Sequence, residues 1–339
     1  SGRDPLPHHQ WSFSLNTALT ASGMHRLPDY GGFYRYGGFP LDLVWDGYDF
    51  FSERYGFDGS KFHAAEGRAR GGQFSLWLNQ RNIESTDIWG LGLGLRQEIS
   101  ESPFKRPDPG GNIPTWIRDE IRPDLSLHFR HHGRRNVRYG TLPHHGFSLG
   151  TSIHLEPSID PLRDDRWSLN WFFTAPITLS SSNRVVLTNR FHGRLSFAPE
   201  SSRKIYRLGG FDTQNMFENF FEGNTVDYED MRGFAVNAFK GFHVQRWTLD
   251  LSLKSWDILR GIRTWPVAMR RLVPAFFADL GWIGPYRMNL EDVHASAGFE
   301  LRLEIELGYG ISSIIRTGLA QGIGVEGITQ GYIVWGAAP

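Results

Sequence analysis

The chain has 339 residues, and Lys plus Arg equals Asp plus Glu at 36 each, so no global field draws nucleic acid or an acidic partner. It contains no cysteine, which excludes a disulfide framework and any thiolate site. No run approaches the roughly 20 apolar residues of a membrane-crossing helix, and the mean hydropathy is -0.37; a membrane β-barrel, apolar only at every second position, scores the same way.

Glycine (39) and an aromatic share of 14% favour strands, tight turns and interfacial rings over helices. Taken from the N-terminus, the chain repeats one pattern. In "WSFSLN", Trp11, Phe13 and Leu15 alternate with Ser12, Ser14 and Asn16. Less regular candidates follow at 41–51 and 72–80. "IWGLGLGLRQ" then sets Trp89, Leu91, Leu93 and Leu95 against Gly90, Gly92, Gly94 and Arg96. "DLSLHFRH" opposes Leu125, Leu127 and Phe129 to Ser126, His128 and Arg130, and "GFSLGTSIHLE" continues the theme. "RWSLNWFFTAPI" follows, and "VVLTNRFHGRLSF" puts Thr188, Arg190, His192 and Arg194 on one side. "WTLDLSLK" opposes Trp247, Leu249, Leu251 and Leu253 to Thr248, Asp250, Ser252 and Lys254. After a candidate at 273–283, "HASAGFELRLEIELG" (294–308) carries one oily and one charged face throughout; 312–323 and 327–336 close the series.

In an extended chain successive side chains point to opposite faces, so each segment is a two-faced ribbon. At about ten residues the ribbons exceed the five or six usual in soluble sheets. Charge and glycine stand mid-strand, where a wet lumen tolerates them and a protein core does not. Trp11, Trp89, Trp167 and Trp247 start the oily faces, where an interfacial girdle would sit. The expected fold is all-β: a transmembrane antiparallel barrel of 14 strands, with 12 or 16 as the alternatives, because single-chain bacterial barrels have even counts. Unpaired backbone in lipid costs several kcal/mol per group, so a complete ring is expected. Long polar connections at 52–71, 100–120, 198–232 and 256–272 are expected as extracellular loops or lumen plugs. No linker divides the chain, and 1–339 reads as a single barrel domain, its export signal removed or lying upstream of Ser1.

Residues 206–234 read "YRLGGFDTQNMFENFFEGNTVDYEDMRGF" and residues 273–282 read "VPAFFADLGW". An Arg-Gly-Phe in a long loop, followed by a Phe-x-Asp-x-Gly strand, resembles the outer membrane protein 85 family, barrels that include assembly factors and two-partner secretion translocators. The resemblance covers roughly residues 184–336. It implies that the loop folds back into the lumen and that Arg232, with Gly233 and Phe234, meets a strand carrying Phe277, Asp279 and Gly281. Gly209 and Gly210 are the matching loop glycines. Independently of the name, an arginine in a narrow lumen keeps its charge and needs a bidentate carboxylate for its planar fork.

The chain departs from the family in three ways. About 20 residues rich in Phe and acidic side chains (211–230) separate "LGG" from "RGF". The terminal strand does not finish on an aromatic residue. The family's periplasmic substrate-handling domains are not present in this chain. The function implied is insertion or transport of polypeptide, or of lipid, at a bacterial outer membrane. It involves neither catalysis nor a cofactor, and a weakly sealed seam between first and last strands offers its edge as a template. The partners implied are outer-membrane lipid, periplasmic or lipoprotein subunits and an unfolded polypeptide client, with no nucleic acid. The alternatives are a passive pore gated by the 198–232 loop, a structural anchor, and an outer-membrane lipid hydrolase.

Among other residues, the doublets His8-His9, His131-His132 and His144-His145 cannot chelate through adjacent strand positions and read as rim or lumen polarity, so no metal is expected. His128 or His192 paired with a serine would be the hydrolase candidate. Glu300, Glu304 and Glu306, with Arg302, read as lumen charges compensating Arg190 and Arg194. "GRARGG" (67–72) and "AMRRL" (268–272) read as solvated or headgroup contacts. Phe217, Phe220 and Phe221 read either as plug packing or as an exposed sticky loop.

Overall fold

The computed structural model describes residues 8–16, 29–38, 41–57, 62–81, 85–99, 120–133, 135–136, 143–159, 164–180, 185–199, 203–210, 230–261, 267–284, 292–307, 311–324 and 326–337. The strands are β1 (His8–Asn16), β2 (Asp29–Gly38), β3 (Leu41–Phe57), β4 (Phe62–Arg81), β5 (Thr86–Ile99), β6 (Glu120–His132), β7 (Arg135–Asn136), β8 (Pro143–His145), β9 (Ser148–Glu156), β10 (Arg166–Ser180), β11 (Val185–Phe197), β12 (Tyr206–Leu208), β13 (Phe239–Gly241), β14 (His243–Ser252), β15 (Trp256–Gly261), β16 (Val267–Gly284), β17 (Val293–Leu307), β18 (Ile311–Ile323) and β19 (Thr329–Ala337). No helix of the described residues is long and apolar enough to cross a membrane.

One antiparallel sheet takes nearly all of these strands, in the order β1-β2-β3-β4-β5-β6-β9-β10-β11-β14-β16-β17-β18-β19. It is 15-stranded because β15 also pairs β16. β15 is not a separate stave. It continues the line of β14 past a break at 253–255, where the Leu253 N–H still donates to Pro274 O at 2.8 Å. The sheet thus has fourteen staves, one of them broken in two. An even number leaves β1 and β19 antiparallel, as ring closure would need.

The expected complete ring is not found. Among the described residues no pairing joins β1 to β19, and the order ends at two edges. β19 is held instead through β18 and by side chains on both its faces: the Trp335 indole N–H reaches Ser313 on one, and on the lumen face the Tyr332 hydroxyl donates to Glu300 at 2.6 Å. Its position therefore does not depend on a ladder to β1.

The alternation is inside out, as lipid surroundings require. Trp89, Leu91, Leu93 and Leu95 on β5 are 43% to 59% exposed, while Gly90 and Gly92 between them are buried. On β6, Leu125 and Leu127 face out and Ser126 is fully buried. Trp89 and Trp167 sit near strand starts on the outer face, but Trp247 is midway along β14, which begins four residues earlier at His243. A buried apolar position, Val244, extends that strand upstream of the tidy alternation, and the Trp247 indole N–H donates to Asn189 Oδ1 at 2.9 Å. The side chain of Trp11 lies outside the described residues.

Two of the expected long loops are strand. Residues 52–57 and 62–71 form the far arms of the β3–β4 hairpin, and 256–261 pairs with 268–272. Paired arms satisfy their own backbone, so a hairpin can outrun the bilayer without lipid contact. The strand directions also put the β14–β16 connection at the opposite end of the sheet from 100–119 and from the β11–β14 connection.

The lipid-facing assignment predicts the effect of one substitution. Leu93→Arg, at a 59% exposed position midway along β5, should lower stability by about 2–4 kcal/mol, the range for an arginine near the bilayer midplane. Urea unfolding in lipid vesicles measures this, and an unchanged midpoint would place Leu93 in water.

Candidate functional site in the lumen

The wall of the site is built by the period of two. On β16, Phe277, Asp279 and Gly281 are successive inward positions, paired on one side with Asp250, Thr248 and Arg246 of β14 and on the other with Gly298, Ser296 and His294 of β17. On β17 the next inward residues are Glu300, Arg302 and Glu304, all at most 3% exposed.

The connection between β11 and β14 comes back onto this wall. Its apolar residues Tyr206, Leu208, Met231 and Phe234 cluster against Val244 and Ile283, and Phe234 packs edge-on against Phe239 at 5.2 Å between ring centroids. Burying these side chains brings the polar tip down with them. Gly281 makes the room: a Cβ there would stand 2.7 Å from Leu208 and 2.8 Å from Met231.

At the tip Arg232 is 1% exposed. Its Nε donates to Asp279 Oδ2 at 2.8 Å, its Nη2 to Asp279 Oδ1 at 2.9 Å and its Nη1 to Glu300 Oε1 at 2.9 Å. The guanidinium lies over the Phe277 ring, 3.4 Å from its centroid. One planar group thus uses its edge on two carboxylates and its face on an aromatic ring, which a lysine cannot do.

The cluster extends beyond that pair. Asp279 Oδ1 also accepts from Thr248 at 2.7 Å and from Arg246 at 3.3 Å. Glu300 accepts from Arg302 at 2.7 Å, Arg316 at 2.6 Å and Tyr332 at 2.6 Å. Arg302 donates to Asp250 at 2.9 Å. Four guanidiniums (Arg232, Arg246, Arg302, Arg316) and three carboxylates (Asp250, Asp279, Glu300) therefore share one dry volume, where each charge needs the others.

The residues beside Arg232 attach the tip to the last hairpin. The Gly233 N–H donates to Gln330 Oε1 at 3.1 Å, and Gly233 O accepts from the Ile328 N–H at 2.9 Å. Gly233 has φ of 83°, and a Cβ on it would stand 2.4 Å from Gly322 N. Gly209 and Gly210 run alongside the same tip. The Gly210 N–H donates to Ala235 O at 2.8 Å, and the Met231 N–H bonds Gly209 O. The "LGG" and "RGF" elements, separated in sequence, are thus neighbours in space; residues 211–229, with Phe217, Phe220 and Phe221, lie outside the described residues.

Other expectations drawn from the sequence change here. Glu300 and Glu304 do not compensate Arg190 and Arg194. Arg190 is 4.0 Å from Asp250, and Arg194 lies over the Tyr206 ring at 5.9 Å, because the strand registers put β17 opposite β16 and β18 rather than β11. Glu306 takes Arg270 at 2.7 Å, and Arg271 donates to Asp257 at 2.8 Å, so the "AMRRL" arginines are met by protein carboxylates rather than left to solvent or headgroups. Of the histidine doublets, His131 meets Asp87 at 2.6 Å and His132 meets Ser148 at 3.1 Å. His128 Nε2 lies 2.9 Å from Ser126 Oγ, but that serine is fully buried on the lumen face, and Asp124 lies against His154. This is not the lipid-facing pair a hydrolase of membrane lipid needs. Among the described residues, no group of three or more His, Asp or Glu is placed to hold a metal ion.

Glu300, Arg316, Tyr332 and Gln330 carry no motif that marks them in the sequence. Their one signal is parity: each falls on the wet face of its ribbon.

No family model matches the sequence, and no curated protein matches it either. Solved structures do. The chain is similar to BamA from Haemophilus ducreyi lacking POTRA domains 1-3, with a TM-score of 0.56 and 13% identity, covering 98% of this chain and 70% of that one. It is similar to CdiB from Acinetobacter baumannii, with a TM-score of 0.53 and 14% identity over 91% of this chain and 49% of that one. For CdiB from Escherichia coli the values are 0.53, 13%, 91% and 52%. The chain spans about half the length of either CdiB, and at these identities the likeness is one of fold. In fold, this chain is similar to the barrels of BamA and CdiB.

Proposed function

We propose that this chain is the membrane-embedded part of an outer-membrane machine that inserts or moves polypeptide in a Gram-negative bacterium. The observation that carries the reading is the state of β19. From within, it is fixed by the tip of the lumen loop and by Glu300; on its outer side it makes no ladder to β1 among the described residues. An edge strand presents a row of unpaired N–H and C=O groups, and a client segment can add to it as one more strand. The lumen loop keeps that edge in register while the client pairs. Arg232, Gly233 and Phe234 are the residues that seat the loop, and Phe277, Asp279 and Gly281 receive it.

The partners that fit are the surrounding lipid, an unfolded polypeptide client and periplasmic or lipoprotein subunits. The cycle needs no covalent chemistry and no cofactor. The test is the folding rate of a second, unfolded barrel protein added to vesicles that contain this chain. Acceleration over empty vesicles is expected, and locking β1 to β19 with an engineered disulfide should abolish it; the absence of native cysteine makes such a lock clean. Vesicles that gain ion conductance without any acceleration would replace this reading with the gated pore.

A further inference from the structure

A second polar centre in the lumen adjoins the cluster at the loop tip, with which it shares Arg246. Strand pairing aligns two successive inward rows across β6, β9, β10, β11 and β14. One row runs His128, Ser152, Asn170, Arg194 and Val244; the next runs Arg130, Gly150, Phe172, His192 and Arg246. Together with Trp77 of β4, these rows line a cavity of about 160 Å³.

Glycines turn its aromatic rings flat against the wall. Trp77 lies over Gly90, where a Cβ would stand 2.8 Å from the indole, and Phe172 lies over Gly150, where a Cβ would stand 2.4 Å from the ring. The ring faces are therefore presented along the lumen rather than edge-on. Trp77 stacks on His128 at 5.0 Å and Phe172 on His192 at 6.3 Å between ring centroids. Arg130 sits over Phe172 at 5.7 Å.

The charge around this cavity is one-sided. Arg130, Arg194 and Arg246 line it, and among the described residues no carboxylate does. The nearest acidic groups are turned to other partners: Asp279 binds Arg232 and Thr248 as well as Arg246, and Asp124 lies against His154. Elsewhere in the lumen the arginines at 166, 232, 270, 302 and 316 each meet a carboxylate directly. Among the described residues Arg130 meets only the face of a phenyl ring.

We propose that this cavity is a binding site for a small planar organic anion, an aromatic carboxylate of about the size of benzoate. The volume is close to the roughly 150 Å³ known to hold one benzene ring. The flat rings supply stacking surface for a planar body, and Arg130 supplies the fork that a carboxylate fits bidentately. A non-planar body forfeits the first contact, and a neutral one forfeits the second.

Isothermal titration of the detergent-folded full chain with four probes tests this: benzoate, cyclohexanecarboxylate, benzyl alcohol and inorganic phosphate. Benzoate is expected to bind at least about tenfold more tightly than each of the others, as the loss of one charge-assisted contact or one stacked ring implies. Arg130→Gln and Phe172→Leu should each weaken benzoate by about tenfold, while Arg270→Gln, whose partner is Glu306 outside this cavity, should leave it unchanged. Retention of heat-modifiable gel migration shows that each variant is folded. Equal binding of benzoate and benzyl alcohol, equal binding of benzoate and cyclohexanecarboxylate, or folded Arg130→Gln and Phe172→Leu variants with unaltered benzoate affinity would each overturn the assignment.

Discussion

Replacing Arg232 by alanine should destabilise the folded barrel by about 3 kcal/mol, the lower part of the range for removing one member of a buried ion pair. The lower part applies because the abandoned carboxylates keep other donors: Asp279 retains Thr248 and Arg246, and Glu300 retains Arg302, Arg316 and Tyr332. Asp279→Ala should have a larger effect, since it takes the bidentate acceptor from Arg232 and also a partner from Arg246. The double substitution should fall short of the sum by about 1–3 kcal/mol, because removing both charges leaves neither stranded. Urea midpoints and slopes for wild type, the two single variants and the double variant close the cycle. Strict additivity would mean that the two groups do not interact. Arg232→Lys should recover only part of the loss, because an ammonium can neither fork onto Asp279 nor lie flat on Phe277.

The second large effect concerns backbone meeting backbone. Gly233→Ala should detach the tip from the last hairpin, because the new methyl group would occupy a left-handed residue and stand 2.4 Å from Gly322 N. Strain at positive φ accounts for about 1–2 kcal/mol of this, and the collision for more. Gly322→Ala separates the two causes. Its Cβ would stand 2.1 Å from Gly233 O, while its own φ is not in the left-handed region. Both variants should expose the tip to added protease in vesicles while leaving the outer strands resistant. If Gly322→Ala behaves as wild type, the close approach is not what seats the loop.

Much of the fold is legible from one rule, that side chains alternate. The segments at 88–97, 124–131, 247–254 and 294–308 declare themselves because their outer faces are almost unbroken apolar runs and their inner faces are polar. The same rule fails at the ends of strands. Val244 and Ile283 are apolar yet inward, because the lumen loop gives them an apolar partner, so β14 reads as starting four residues late. The hairpin arms beyond 51 and before 72 lack the alternation in sequence and read as loop, although their backbones pair with each other.

The site is legible only as far as two short motifs reach. Arg232 and Asp279 stand in recognisable surroundings, and spacing of two explains why Phe277, Asp279 and Gly281 share a face. Glu300, Arg316 and Tyr332 are invisible as a group because their meeting depends on the pairing of β17 with β18 and of β18 with β19. A one-residue slip in any ladder would turn a whole ribbon over. Which inward charge meets which is thus a property of registers, and the misassigned partners of Arg190 and Arg194 follow from guessing them.

Because Met231 bonds Gly209 and Gly210 bonds Ala235, the chain leaves for residues 211–229 and returns from them at a single point. A segment whose two ends already touch behaves as a cassette: it can lengthen, shorten or be exchanged for foreign sequence without moving the guanidinium a few residues away. Evolution is thereby free to change the sequence between those two ends without renegotiating how the barrel is held together.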